Sequence, residues 1–231
     1  NRDKTMKLQS AGSWFGAAIL LGYMLDIASN FWLQPGIRSG DGAMGIFVGA
    51  GQRPDLVGMI VLLSMISGIV SLMAAALLCK VSVGRSIFWL SLAYLGLKAG
   101  QFGLGGVEMA TLQLYRSLGT AMIAEPTGQL VTLAEPIKHV VAGLRDGLHF
   151  PTMLTGGISV LLLYYMLQKS GFIPRWLGGV GMLAAMSQMT GVSTGLFGSE
   201  VNFIFLAPLA LVHLTLAIWL LVRGFGESAN V

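Results

Sequence analysis

Residues 56–79 read LVGMIVLLSMISGIVSLMAAALLC, an apolar run with serines as its only hydroxyls and no charged side chain. An α-helix rises about 1.5 Å per residue, so about 20 apolar residues cross the roughly 30 Å of a bilayer's hydrocarbon. This run is long enough. Hydrocarbon offers no water to unpaired N–H and C=O groups, so a run of this kind crosses as a helix. The whole chain has the same character. It has 231 residues, of which 55% are hydrophobic and 10% charged, with a mean hydropathy of +0.76. A soluble domain carries about 25% charged residues, so this composition cannot cover a water-facing surface. It also holds 32 glycines, a residue that membrane helices tolerate where their backbones approach closely.

Five further apolar blocks flank that run, at 12–33, 86–106, 149–167, 176–197 and 203–222. The expected fold is therefore an all-α integral membrane bundle of six transmembrane helices, forming one polytopic domain over 1–231. Arg2, Lys4 and Lys7 ahead of the first block resemble a signal peptide, but Asp26 within it argues against a cleavable apolar region, so the segment is read as a retained span. Cytoplasmic flanks are richer in Lys and Arg. With the N-terminus inside, that side holds Arg2, Lys4, Lys7, Lys80, Arg85, Lys169, Arg175 and Arg223, against Arg38, Arg53, Arg116, Lys138 and Arg145 outside. Both termini are expected in the cytoplasm. The net charge of +4 thus marks topology, and no nucleic-acid partner is expected.

Two connections are more than linkers. Residues 34–55 contain GAMGIFVGAG, too short to cross and expected at the interface or dipping into the bundle. In 127–148, Leu130, Leu133, Ile137, Val140, Leu144 and Leu148 recur at steps of three and four, the spacing of one helix face. An interfacial amphipathic helix is expected there, with Pro151 bending the chain into the fourth span.

Polar residues in an apolar setting are the functional candidates, because a charge at mid-bilayer is expensive. Asp26 and Asn30 lie in the first span, Lys98 and Gln101 share a face of the third, Glu108 follows them, His149 opens the fourth, Gln188 lies in the fifth and His213 in the sixth. Asp26 is the first candidate partner for Lys98, since Glu108 is too far along Lys98's own helix. Ser187, Gln188 and Thr190 are candidate partners for His213. These eight residues are the expected lining of a ligand pocket. A haem between His149 and His213 is disfavoured by their different depths, so no cofactor is assigned. The single Cys79 excludes an internal disulfide or a thiolate metal site, and no metal is expected. Nucleophile-elbow, metalloprotease, phosphate-loop and CxxC motifs are absent from the sequence. GLGG at 103–106 and GGVG at 178–181 are read as close helix packing.

The segment LLLYYMLQKSGFIPRWLGGVGMLA (161–184) carries a resemblance. Its turn, from Lys169 through Ser170, Gly171, Phe172, Ile173, Pro174 and Arg175 to Gly178, is similar to that of a family of bacterial multi-pass membrane proteins catalogued as domain of unknown function 4386. The closing LVHLTLAIWLLVRG also resembles the family's last helix. Lys98 and Gln101 fall where the family tends to have Arg and Glu or Gln, whereas His213 replaces an expected glutamate and Ser159 a common histidine. The resemblance implies a multi-pass fold in a bacterial inner (plasma) membrane.

Three functional classes stay open. They are a pocket that binds an amphiphilic small molecule or lipid, an accessory subunit docked on a larger membrane complex, and an intramembrane acid–base enzyme using Asp26 or Glu108 with His213. Membrane lipids are partners in each. The topology is directly testable. Cysteines placed near Gly40 and Ser199 should react with an impermeant reagent added outside, and one near Ser170 should stay protected; the reverse pattern would overturn the orientation.

Overall fold

The computed structural model describes residues 2–40 and 42–226, without the side chains of 2–7 and 203, so those of Arg2, Lys4 and Lys7 lie outside the described residues. Among the described residues every regular element is helical. The helices are α1 (Arg2–Ile27), α2 (Gly42–Gln52), α3 (Pro54–Ser82), α4 (Phe88–Ala124), α5 (Gln129–Thr132), α6 (Ala134–Lys169), α7 (Arg175–Leu196) and α8 (Ala207–Arg223). A π turn (Ala28–Leu33) and a 3₁₀ turn (Gln34–Ile37) extend α1, and a 3₁₀ turn (Phe203–Phe205) precedes α8.

Among the described residues, three helical stretches are long and apolar enough to cross a membrane, Leu8–Ile37, Pro54–Ser82 and Ala134–Lys169, with α8 as a shorter apolar helix. They mark the chain as an integral membrane protein. Helices also occupy the other expected blocks, but α4 carries Lys98, Gln101 and several glycines, and α7 carries Gln188 with serines, threonines and glycines. That polarity is what separates α4 and α7 from the more apolar stretches. The apolar surface is outward in many places, with Trp14, Phe31, Trp32, Met73, Trp89, Leu183 and Val222 all exposed.

Two expected boundaries move. Residues 134–169 form one helix with Pro151 inside it, so position 148/149 is no helix end. The apolar face foreseen for the interfacial helix is divided, with Ile137 packed against the core and Leu148 half-buried. Leu130, Leu133, Val140 and Leu144 are exposed, while Ala134 and Val141 turn inward. The α4 helix runs on to Ala124, well past residue 106. Gly103, Gly105 and Gly106 have open space where a Cβ would stand. Among the described residues no neighbour approaches these three glycines closely, so the packing expected of GLGG is not what they provide.

The chain forms two compact units. The first comprises residues 1–22, 69–102 and 150–231. Its core gathers Phe15, Leu78, Ile87, Tyr164, Leu167, Phe172, Leu177, Leu216 and Leu220. The turn from α6 to α7 has a specific construction. The Phe172 N–H donates to Leu167 O at 3.0 Å and the Gly171 N–H to Gln168 O at 3.1 Å, with Gly171 at φ +69°. This double bond pattern around a left-handed glycine closes a helix C-terminus, and Pro174 then prevents its continuation. Phe172 is buried and stacks on Phe225 at 4.6 Å between centroids. Phe225 follows Gly224, whose φ of +66° turns the chain off α8. Gly181 of the GGVG stretch lies against the Tyr164 ring, as close packing requires.

The second unit comprises residues 23–68 and 103–149. Its core is Ile37, Phe47, Ala50, Val57, Ile60, Leu112, Tyr115, Met122, Ala134 and Val141. GAMGIFVGAG packs into the core of this unit. It forms α2, which buries Ala43, Gly45, Phe47, Gly49 and Ala50. Glu135 on α6 accepts the Ala43 N–H at 2.9 Å, satisfying one of the donors left open at the start of α2. Where α2 crosses α4, a Cβ on Gly119 would collide with the Phe47 carbonyl oxygen, and Gly51 lies against the Gly119 backbone.

That crossing generates a test. Gly119→Ala must push two backbones apart and should destabilise the detergent-solubilised protein by about 1–3 kcal/mol, the usual range for overpacking. Gly58, which has open space at its Cβ position, should accept Ala without loss. Equal melting temperatures for the two variants would refute the close approach.

Candidate functional site

The polar residues of the second unit converge on a connected network. The π turn after α1 is a wider helical turn, in which the Gln34 N–H returns to Ser29 O. Such turns are rare and frequent at functional sites. It places Asn30 and Gln34 one turn apart, and Gln34 Nε2 donates to Asn30 Oδ1 at 2.6 Å. Gln34 Oε1 in turn accepts from Arg145 Nη2 on α6 at 2.9 Å. Arg145 Nε stands 3.9 Å from Glu108 Oε1 on α4, and the same oxygen is 2.9 Å from His149 Nδ1.

Glu108 is the buried centre of this arrangement, its side chain 7% exposed against 27% for Arg145 and 45% for His149. A carboxylate out of water needs charge partners or donors. Arg145 and His149, four residues apart on one face of α6, converge on the same Glu108 oxygen. Thr111 Oγ1 donates to the Glu108 backbone carbonyl at 2.6 Å, tightening the same turn of α4.

Beside the network lies a cavity of about 290 Å³. Its polar lining is Asn30, Gln34, Arg38, Tyr115 and Arg145; its apolar lining is Pro35, Ile37, Ile46, Ala50 and Leu112. The volume is near the lower end of small-molecule sites, roughly 300–1,000 Å³. Burial pushes the Tyr115 phenol above its usual pKa, with Arg145 opposing and Asp146 adding to the shift. Tyr115 is therefore a neutral hydroxyl in this wall. Arg53 donates to the Gly36 carbonyl, pinning the 3₁₀ turn that carries Pro35 and Ile37. Among the described residues, no group of three His, Cys, Asp or Glu side chains is placed to hold a metal ion.

The eight residues singled out from the sequence divide between the units. Asn30, Glu108 and His149 belong to the second unit's network, whereas Asp26 is exposed on α1 in that unit. Lys98, Gln101, Gln188 and His213 belong to the first unit. There Lys98 Nζ donates to Gln101 Oε1 at 3.1 Å and lies 5.8 Å from the Tyr94 ring centre. The Gln101 side chain occupies the space where a Cβ on Gly156 would stand. His213 Nδ1 is 3.2 Å from the Tyr164 hydroxyl on α6, and Ser187 donates to Phe205 O. Gln188 is half-buried on α7.

Gln34, Arg38, Tyr115 and Arg145 are the site residues that sequence reasoning missed. Arg38 and Arg145 read as topology markers and Gln34 as the start of a connection. One signal was available, since Asn30–Gln34 and Arg145–His149 are both pairs of polar residues four apart, the spacing of helical neighbours.

No curated protein matches this chain, and no solved structure does. The family described as a domain of unknown function, DUF4386, matches residues 14–224, a stretch that contains every cavity residue and the turn from α6 to α7. With almost all of its length inside that match, the chain belongs to the DUF4386 family.

Proposed function

We propose that this is a six-span protein of the bacterial plasma membrane, with both termini cytoplasmic, whose second unit binds an amphiphilic small molecule or lipid. The observation that carries the reading is the cavity of about 290 Å³ with guanidinium, amide and phenol groups on part of its wall and Ile37, Ile46 and Leu112 on the rest. A ligand with one polar and one apolar end is what such a wall complements.

The membrane placement draws on two further supports. An ideal helix of 37 residues, the length of α4, is roughly 55 Å long, well beyond the roughly 30 Å of hydrocarbon. Part of such a helix stands outside the apolar layer, where charged groups such as Arg116 find water. In the first unit, Arg85 lies 5.0 Å from the Phe172 ring centre, Lys169 5.5 Å from Tyr165 and Arg223 5.9 Å from Trp219. All three cations come from the flanks assigned to the cytoplasm. Cation–aromatic pairs of this kind suit a membrane–water interface, where aromatic rings collect and basic residues face inward.

Native mass spectrometry of the full chain, released from gentle detergent, tests the binding role. The expected spectrum contains a retained lipid or small amphiphile. Ile46→Trp, a half-buried wall position on α2, should fill the cavity and remove that adduct at an unchanged melting temperature. A bare wild-type protein, or an adduct that survives Ile46→Trp, would overturn the proposal.

A further inference from the structure

We infer that the cavity of the second unit selects an amphiphile with an anionic head, a carboxylate or phosphate monoester, seated between Arg38 and Arg145. The inference rests on the binding role proposed above and adds the sign of the ligand's charge.

Donors outnumber acceptors along the network. A side-chain amide has an oxygen with two lone pairs and two N–H donors, and an arginine has five N–H donors and no acceptor. The Gln34 oxygen is taken by Arg145 at 2.9 Å, and the Asn30 oxygen is taken by Gln34 at 2.6 Å. Each amide oxygen at the cavity wall thus already holds one internal donor. The guanidinium and amide groups keep N–H donors to spare. Arg145 gives one N–H to Gln34, and Glu108 at 3.9 Å is beyond hydrogen-bond length, so most of the guanidinium fork is available. Among the described residues, two arginines and no carboxylate line the cavity. A wall whose charges are two guanidinium groups, with N–H donors outnumbering its open acceptor sites, favours an oxyanion. A cationic head would meet two like charges.

Glu108 has a positioning role here. It is buried, does not line the cavity, and sits on the far side of the Arg145 contact chain together with His149. Its charge holds the guanidinium near the wall without competing for a bidentate bond, because 3.9 Å leaves the separation loose. Arginine pairs with carboxylate and phosphate through two parallel N–H···O bonds, a geometry lysine does not reproduce. The apolar residues Ile37, Ile46 and Leu112 then meet the first carbons of the tail.

Isothermal calorimetry on the full chain in phosphatidylcholine nanodiscs tests this with probes of equal tail. Octanoate and octyl phosphate should bind saturably, and at least tenfold more tightly than octanol or octyltrimethylammonium. Arg145→Gln should weaken the anionic probes by tenfold or more and leave octanol unchanged. Arg38→Gln, on an exposed turn residue, should weaken them several-fold and serves where Arg145→Gln does not fold. Octanol binding as well as octyl phosphate, with both arginine variants unaffected, would overturn the anionic head while keeping the amphiphile cavity. Inorganic phosphate binding as tightly as octyl phosphate would overturn the tail's part. Saturable binding by none of the probes would overturn the inference and the cavity reading together.

Discussion

A backbone amide in hydrocarbon has no solvent to bond with, and this requirement shapes the chain more than any side chain does. It explains why the regular elements are helices and why they end on internally bonded turns. At the end of α6 the carbonyls of Leu167 and Gln168 are met by the N–H groups of Phe172 and Gly171. At the end of α8 the Gly224 N–H returns to Leu220 O at 2.8 Å. At the start of α2 a side chain from another helix, Glu135, supplies the bond. The same rule allows large apolar residues to face outward, since lipid is as favourable a neighbour for them as the core.

The network in the second unit shows how such a chain carries polarity. Its buried carboxylate is matched by an arginine and a histidine, and its amides are matched to one another in sequence. Breaking one partner of a buried charge group leaves the other unsatisfied, whereas each member here has a bonding partner within reach. The π turn contributes by adding a residue to the helical circuit, so that Asn30 and Gln34 are presented toward α6 from a segment that would otherwise be uniform α-helix.

Much of this was legible in the residues. Helices stand at the apolar blocks 176–197 and 56–79, as α7 at Arg175–Leu196 and α3 at Pro54–Ser82, because long apolar blocks bounded by basic or proline residues leave little freedom. The turn motif from Ser170 to Arg175 was visible, and its cause is the left-handed glycine followed by proline. Three of the five network residues, Asn30, Glu108 and His149, stood out as polar groups in apolar surroundings. Gln34 and Arg145 did not, since both fall in segments where polar residues are ordinary, and only the tertiary fold assigns them partners. The burial of α2 was left open between two placements, and the unbroken α6 was hidden. A short apolar run reads alike at an interface and in a core, and Pro151 is accommodated within a helix whose flanks both propagate.

The way the two units share the chain bears on biosynthesis. All residues of the second unit lie between positions 23 and 149, so its core can close before α7 and α8 exist. The first unit is assembled from the beginning, the middle and the end of the chain. Its first helix meets its last where Gly12 and Gly16 lie against the backbone of Gly224–Phe225 and of Ala217, with Ser13 Oγ donating to Leu221 O. Phe225 then stacks on Phe172 and meets the Phe15 ring at a tilt. That keystone emerges from the ribosome after every helix it locks. The nascent chain must hold α1 in the membrane, unpaired with its final neighbour, until α8 and the residues after it have been made.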